Sequence, residues 1–258
     1  MSVIRLSGAI MSGGGGLSRA TLNDAGTASL IEKAFKKGKP VAVAVVINSP
    51  GGSPTQSALI AARIRRLADE TETPVHVFCE DVAASGGYWL ATAGDDITVD
   101  ANSVIGSIGV ISSGFGFHEL IGRYGIERRV HTAGESKSWL DPFKPEQAED
   151  VTRLKALQTD IHDNFKAQVR ARRGDRIDEA ATPELFTGEV WVGQKAVDVG
   201  LADHVGHLVP RMKELYGDKV RFAASTPRRS MFQRLGAPGV EEISAALEER
   251  SLRARFGL

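Results

Sequence analysis

The segment Ala83-Ala84-Ser85-Gly86-Gly87-Tyr88 carries the residue types that acyl transfer needs. A serine at the start of a helix, directly after a strand, meets the positive end of the helix dipole and free backbone N–H groups. Gly86 and Gly87 clear side chains from that corner, so a substrate carbonyl can approach the backbone. The Gly86 N–H can then hold the oxyanion of a tetrahedral intermediate. The same residues also fit a serine N-cap followed by glycines that permit close packing, and on this segment alone both readings stand. The turn Ser49-Pro50-Gly51-Gly52 follows the adjacent strand and supplies further exposed N–H groups at the same sheet edge. Pro-Gly turns are common. Together with the first segment, this one completes the parts of an oxyanion hole, with one donor from each loop.

A serine hydroxyl still needs a base. None of the six histidines lies in a nucleophile-elbow context, and no G-x-S-x-G pattern surrounds Ser85. His76 falls within an apolar strand and reads as a core histidine; His118 and His162 fall in helical stretches, His204 and His207 near a turn. A lysine can substitute when burial keeps its amine neutral. Lys137 is flanked by Trp139, Leu140 and Phe143, the apolar surroundings such a lysine requires, although a surface lysine is the commoner case.

The elements that must position these residues read as strands alternating with helices. Val3–Ile10 begins with a strand and is followed by the flexible run Gly13–Gly16. Leu30, Ile31, Ala34 and Phe35 recur at helical spacing, with Gly38 and Pro40 ending that helix. Val41–Ile47 is a continuous apolar run expected of a central strand. Pro54 suits the first turn of a helix whose apolar side holds Leu59, Ile60, Ile64 and Leu67. Strands are expected at Val75–Cys79, Ile97–Val99, Val110–Ser112 and Ile126–His131, with helices at Ser85–Ala93 and Phe117–Tyr124. This alternation implies a mainly parallel sheet covered on both faces. From Glu146 to Arg173 the residues Val151, Leu154, Leu157, Ile161, Phe165 and Val169 mark one long amphipathic helix. A further helix-rich segment covers Val192–Gly200. Beyond Pro227 a charged tail interleaves Met231, Phe232 and Leu235 with Arg228, Arg229 and Arg234, and its final segment is amphipathic too. Packing against a neighbouring subunit is the expectation for this tail, with reversible attachment to a membrane surface as the alternative.

Composition narrows the function classes. Lys plus Arg equals Asp plus Glu at 32 each, so no overall field favours nucleic acid or anionic lipid. Cys79, the single cysteine, sits in an apolar run and is expected to be a buried, inert thiol. No cluster of Cys and His suggests a metal. No apolar run approaches the roughly 18 residues that span a bilayer, and the first residues do not read as a signal peptide, so a cytoplasmic protein, at most peripheral to the membrane, is expected.

Four strings in order, Ile47–Gly52, Ala83–Tyr88, Gly106-Ser107-Ile108-Gly109-Val110 and Gly134–Lys137, resemble the signal peptide peptidase A (protease IV) family of Ser/Lys peptidases, peptidase family S49. Thr187–Trp191, Gly193–Ala196 and Gly200–Asp203 are similar to that family as well, and the resemblance covers roughly 3–220. It implies Ser85 as nucleophile, Lys137 as general base and Ser107 as the hydroxyl that orients the lysine amine. The oxyanion donors would be Gly86 and a glycine of the Pro50-Gly51-Gly52 turn, Gly52 before Gly51. The implied fold is α/β, a ClpP/crotonase-like spiral of repeated ββα units with surrounding helices and a helical C-terminal extension. On this basis 1–225 is expected to be the peptidase domain and 226–258 a charged amphipathic tail.

The implied activity is hydrolysis of peptide or protein substrates, with no metal, nucleotide or organic cofactor and no nucleic-acid partner. Many members of the family carry an N-terminal membrane anchor, and long members contain two tandem copies; neither is expected here. One-copy members resemble rings whose serine and lysine come from neighbouring subunits. The helix at 146–173, roughly 40 Å long at 1.5 Å per residue, has a stripe that fits such an assembly. Two other readings are a crotonase-type acyl-CoA lyase or isomerase, for which the Ser85, Ser107 and Lys137 set has no purpose, and a non-catalytic scaffold subunit.

Overall fold

A computed structural model describes residues 1–12, 21–134, 136–225 and 240–258; the glycine run at 13–16 and the arginine-rich part of the tail at 228–235 lie outside the described residues. The elements begin with β1 (Ser2–Ser7), β2 (Ala9–Ile10), β3 (Thr21–Leu22), α1 (Asp24–Lys36), β4 (Val43–Ser49), α2 (Pro54–Thr71), β5 (Val75–Ala84), α3 (Gly86–Ala91), β6 (Asp96–Val99) and β7 (Val104–Gly106). They continue with α4 (His118–Arg123), α5 (Ala148–Arg173), β8 (Val190–Val192), α6 (Gln194–Asp198), β9 (His204–Val205), α7 (Leu208–Tyr216), β10 (Ala223–Ala224) and α8 (Val240–Ala254). No helix among the described residues is long and apolar enough to cross a membrane.

The chain forms two compact units, one of Met1–Gly109 with Phe165–Leu258 and one of Val110–Asn164. In the first, a sheet runs β10-β1-β4-β5-β6-β9 with every neighbouring pair parallel. β4 lies in the middle with Val43, Ala44, Val45 and Ile47 fully buried, which explains its unbroken apolar sequence. Because side chains alternate along a strand, Val43, Val45 and Ile47 join the core under α1, α2 and α3. Ala44 and Val46 face the other way, toward Met212 and Leu208 of α7. Local signals set the helix starts. Asn23 Oδ1 caps α1 by accepting from Gly26 N at 2.7 Å, and Ser53 caps α2 with Pro54 in its first turn.

The sheet branches at β5. Its first half pairs with β6, and Val82, Ala83 and Ala84 pair with β7, which in turn meets β8 antiparallel. The β4–β5 register breaks between Ile47 opposite Cys79 and Ser49 opposite Ala83. The strand expected to end at Cys79 therefore continues past an irregularity at 80–82, which two charged residues, Glu80 and Asp81, hide from a pattern of apolar residues. On α2 the register of the core face also differs from expectation: Ile60, Ile64 and Leu67 are buried, but Leu59 is 46% exposed.

In the second unit, α4 and the part of α5 up to Asn164 are the helical elements. Val110–Ser112 and Ile126–His131 are not strands. No described strand pairs with them, and an apolar β-branched run without a partner does not hold an extended ladder; Ile111 is 61% and Ile126 59% exposed. Of the apolar stripe on the long helix, only Phe165 and Val169 are buried, while Leu157 is 49% exposed.

Candidate active site

Ser85 occupies the turn between β5 and α3 with φ +52 and ψ −123, and its hydroxyl makes no capping bond to the helix. A non-glycine residue in this region is strained, and an N-cap role would have used the hydroxyl. The N-cap reading of this serine is thus set aside. Its turn is anchored on both sides: Ser85 N donates to Gly106 O at 2.8 Å, while Tyr88 N and Trp89 N donate to Ser85 O at 2.9 and 3.0 Å. Behind the turn, the buried Tyr88 hydroxyl donates to Leu201 O at 2.9 Å, and burial pushes its phenol up. Trp89 stacks on Phe165 with ring centroids 4.9 Å apart.

The turn after β4 meets this corner. Gly52 N and Gly86 N donate to no other group among the described residues, whereas Gly51 N donates to Ser49 Oγ at 3.2 Å. A Cβ built on Gly86 would lie 3.3 Å from Gly52 N and 2.4 Å from Ser57 Oγ, so the two free donors belong to one spot. Gly52 has φ +138, and a Cβ there would fall 2.0 Å from Ile10 O; only glycine fits. Ile10 N donates to Gly51 O at 2.8 Å and Ser53 N to Ile10 O at 2.7 Å, which fixes the turn from its other side.

Ser107 directly follows β7. It is 8% exposed with φ +51, and its N–H donates to Glu189 O at 2.7 Å. Gly106 has no room for a side chain, since a Cβ would lie 2.8 Å from the Trp191 ring. The segment Thr187–Trp191 thus serves as backing for the Gly106-Ser107 turn. Sequence reasoning gave no role to Ser57, Gly106 or Trp191 individually; spacing alone offers no signal for residues that act through a carbonyl or a packing contact.

Lys137 lies in the second unit, in a turn where its N–H donates to Gly134 O at 3.2 Å. Its side chain is exposed, the commoner of the two settings the sequence left open, and is not enclosed by Trp139, Leu140 and Phe143. Those side chains are engaged otherwise: the chain reverses at Leu140 with φ +51, and Phe143 packs on Phe117 and under the Arg128 guanidinium at 4.8 Å. The loop is tied to α5, where Arg153 Nη1 donates to Ser136 Oγ at 2.7 Å and Leu140 N to Asp150 Oδ2 at 3.0 Å. A cleft of about 320 Å³ is lined by Ser136, Ser138, Trp139, Asp150 and Arg153.

Other titratable candidates are accounted for. His76 bonds Asp96 through Nδ1 and Tyr216 through Nε2, both at 2.7 Å, at the opposite end of β5 from Ser85, as a core histidine does. Burial pushes the Cys79 thiol up to about 12, so it is not a nucleophile. Asp203, in the Gly200–Asp203 string, holds the buried Arg173 through two 2.9 Å bonds and accepts from Ile97 N at 2.7 Å. Burial alone would raise the Asp203 carboxyl, but the hydrogen bonds and charge of Arg173 outweigh it and hold the carboxyl below its ordinary value.

Similarity to known proteins extends over much of the chain. The model of peptidase family S49 matches residues 68–218. The chain is 30% identical over 178 residues to a putative signal peptide peptidase SppA of Enterococcus faecium, covering 69% of this chain and 51% of that protein. It is 30% identical over 187 residues to a putative protease of Methanocaldococcus jannaschii, covering 72% of this chain and 59% of that one. It is also 49% identical over 255 residues to a Brucella melitensis protein named Na(+)/H(+) antiporter NhaA, across 99% of this chain but 34% of that protein. The chain therefore spans between about a third and three-fifths of the length of these relatives.

Proposed function

The chain belongs to peptidase family S49, and from that premise we propose that it is a serine endopeptidase that cleaves peptide bonds through an acyl-enzyme on Ser85. The observation that carries this reading is the pairing of the strained, uncapped Ser85 turn with the two free donors Gly52 N and Gly86 N. In the proposed reaction Lys137 Nζ takes the Ser85 hydroxyl proton and Oγ attacks the substrate carbonyl carbon. The oxyanion is held by the N–H groups of Gly52 and Gly86. Lys137 gives its proton to the leaving amine. Water then attacks the ester as Lys137 takes a proton from it, and Ser85 regains its hydrogen as the carboxylate leaves. Ser107 orients the lysine amine.

The branching of the sheet at β5 supports reading the fold as the ClpP/crotonase spiral. Homo-oligomerisation is part of the same proposal. None of the described residues between Val110 and Asn164 is buried, and Phe115 is 80%, Tyr124 76% and Leu120 50% exposed. A unit with so little core needs apolar cover, which neighbouring copies in a ring with shared serine and lysine would supply. We place the enzyme in the cytoplasm, acting on peptide or protein substrates.

The test is labelling with a serine-reactive fluorophosphonate, followed by mass spectrometry of the adduct. Wild type is expected to be modified on Ser85, and Ser85→Ala not at all. A peptide hydrolase activity that survives Ser85→Ala would refute the assignment.

A further inference from the structure

The C-terminal helix α8 reaches the place where both site-bearing strands change register. Arg253 Nη1 donates to Asn48 Oδ1 at 3.1 Å and Nη2 to Asn48 O at 3.3 Å. The guanidinium is steadied by Glu249, one turn earlier, through Nε at 2.8 Å, and both side chains are mostly covered, at 22% and 21% exposure. Asn48 is the residue of β4 at the register break, between Ile47 and Ser49. Its Nδ2 donates to Asp81 Oδ2 at 2.6 Å, within the irregular stretch of β5 that leads to Ser85. Asn48 O also accepts from Gly8 N at 3.0 Å. Two residues beyond Asn48 the Pro50-Gly51-Gly52 turn begins. The same helix lies against β2, whose Ile10 brackets that turn through Gly51 O and Ser53 N.

Strand ends at an irregular register are weakly specified by the ladder itself. A bidentate guanidinium that spans a side-chain amide and the backbone carbonyl of one residue supplies orientation that the ladder there lacks. We propose that Arg253 is a positioning residue: by fixing Asn48, and through it Asp81, it holds the oxyanion turn and the serine turn in register with each other. This rests on the reading of Gly52 and Ser85 as parts of a hydrolytic site. It also gives the helix at the end of the chain an intramolecular task at that site.

The experiment compares wild type with Arg253→Met and Arg253→Lys in the full chain. Turnover is normalised to the fraction of Ser85 that a fluorophosphonate labels, so unfolded molecules do not count. Arg253→Met is expected to lower kcat per labelled site roughly tenfold with KM little changed, as loss of transition-state geometry does. Arg253→Lys, with one point charge in place of the fork, is expected to recover part of it. Amide hydrogen exchange provides a readout that needs no activity: peptides covering 47–53 and 80–86 should exchange faster in Arg253→Met, with 75–79 unchanged. Unchanged kcat per labelled site overturns the inference. If wild type hydrolyses no peptide, the reading of function falls and exchange alone decides positioning, with unaltered exchange at 47–53 sinking it.

Discussion

The Ser85 N–H donates to the Gly106 carbonyl oxygen at 2.8 Å, so the serine turn is fastened to the residue directly before Ser107. Both serines have positive φ, +52 and +51, and each turn begins where a strand of the same sheet ends. One hydrogen bond therefore sets the spacing between the proposed nucleophile and the hydroxyl proposed to orient its base.

Ser85→Ala and Lys137→Ala are each expected to lower peptide hydrolysis by on the order of 10⁴-fold or more while leaving the melting temperature close to that of wild type. Ser107→Ala should lose less, because it accepts no proton from the serine. The kcat/KM of wild type should rise with pH through a single deprotonation. A flat profile across neutral and mildly alkaline pH, or near-normal turnover by Lys137→Ala, would remove Lys137 as the base.

Ser85→Gly separates strain from chemistry. Glycine adopts φ +52 without the Cβ penalty, so this variant should be inactive yet more stable than Ser85→Ala by about 1 kcal/mol in urea denaturation. Equal stabilities of the two variants would show that the turn stores no strain.

Gly86→Ala places a methyl 2.4 Å from Ser57 Oγ. It should cost about 1–3 kcal/mol, as overpacking does, and displace the Gly86 N–H. Adding Ser57→Ala removes the offending oxygen and should restore most of the stability. A double variant no more stable than Gly86→Ala would mean that the backbone, not Ser57, sets the limit.

Asp203→Asn leaves the Arg173 guanidinium, 3% exposed, without its carboxylate, and is expected to destabilise by about 3–5 kcal/mol at neutral pH. The folded carboxyl titrates below its unfolded value of about 3.9. Its contribution is thus complete above that pH and disappears as pH falls through the folded value. The gap between variant and wild type should narrow in acid; a gap independent of pH would contradict the ion-pair origin.

Mixing Ser85→Ala with Lys137→Ala subunits should restore part of the activity, and wild-type specific activity should fall on dilution. Absence of complementation would discard shared sites in a ring while leaving the family assignment untouched.

Much of the first unit was legible because its residues report their own environment. The unbroken Val41–Ile47 run holds most of a strand buried on both faces, and Pro54 stands where a helix starts. The free donors Gly52 and Gly86 were legible as glycines, but not their mutual approach, which depends on Ser57 and Ile10 from distant parts of the chain. The extension of β5 past Cys79 was hidden by Glu80 and Asp81, charged residues at a register break that no alternation rule anticipates. In the second unit the pattern misled: Ile111 and Ile126 look like strand residues, yet neither has a described neighbour to pair with. The setting of Lys137 stayed open between an enclosed and a surface lysine, since adjacency in sequence to Trp139 and Phe143 does not say whether their rings cover it.

The edge partner of β7 is β8, with Gly106 opposite Val190, and the Ser107 N–H has its acceptor in Glu189. In a chain emerging from the ribosome, Ser85 is made well before Glu189 and Trp191, the residues that back the Gly106-Ser107 turn. Chains emerge at about 5–20 residues per second, so several seconds separate synthesis of the serine from arrival of its support. Under the proposed mechanism, the turn that carries the nucleophile is therefore synthesised before the residues that support the hydroxyl orienting its base.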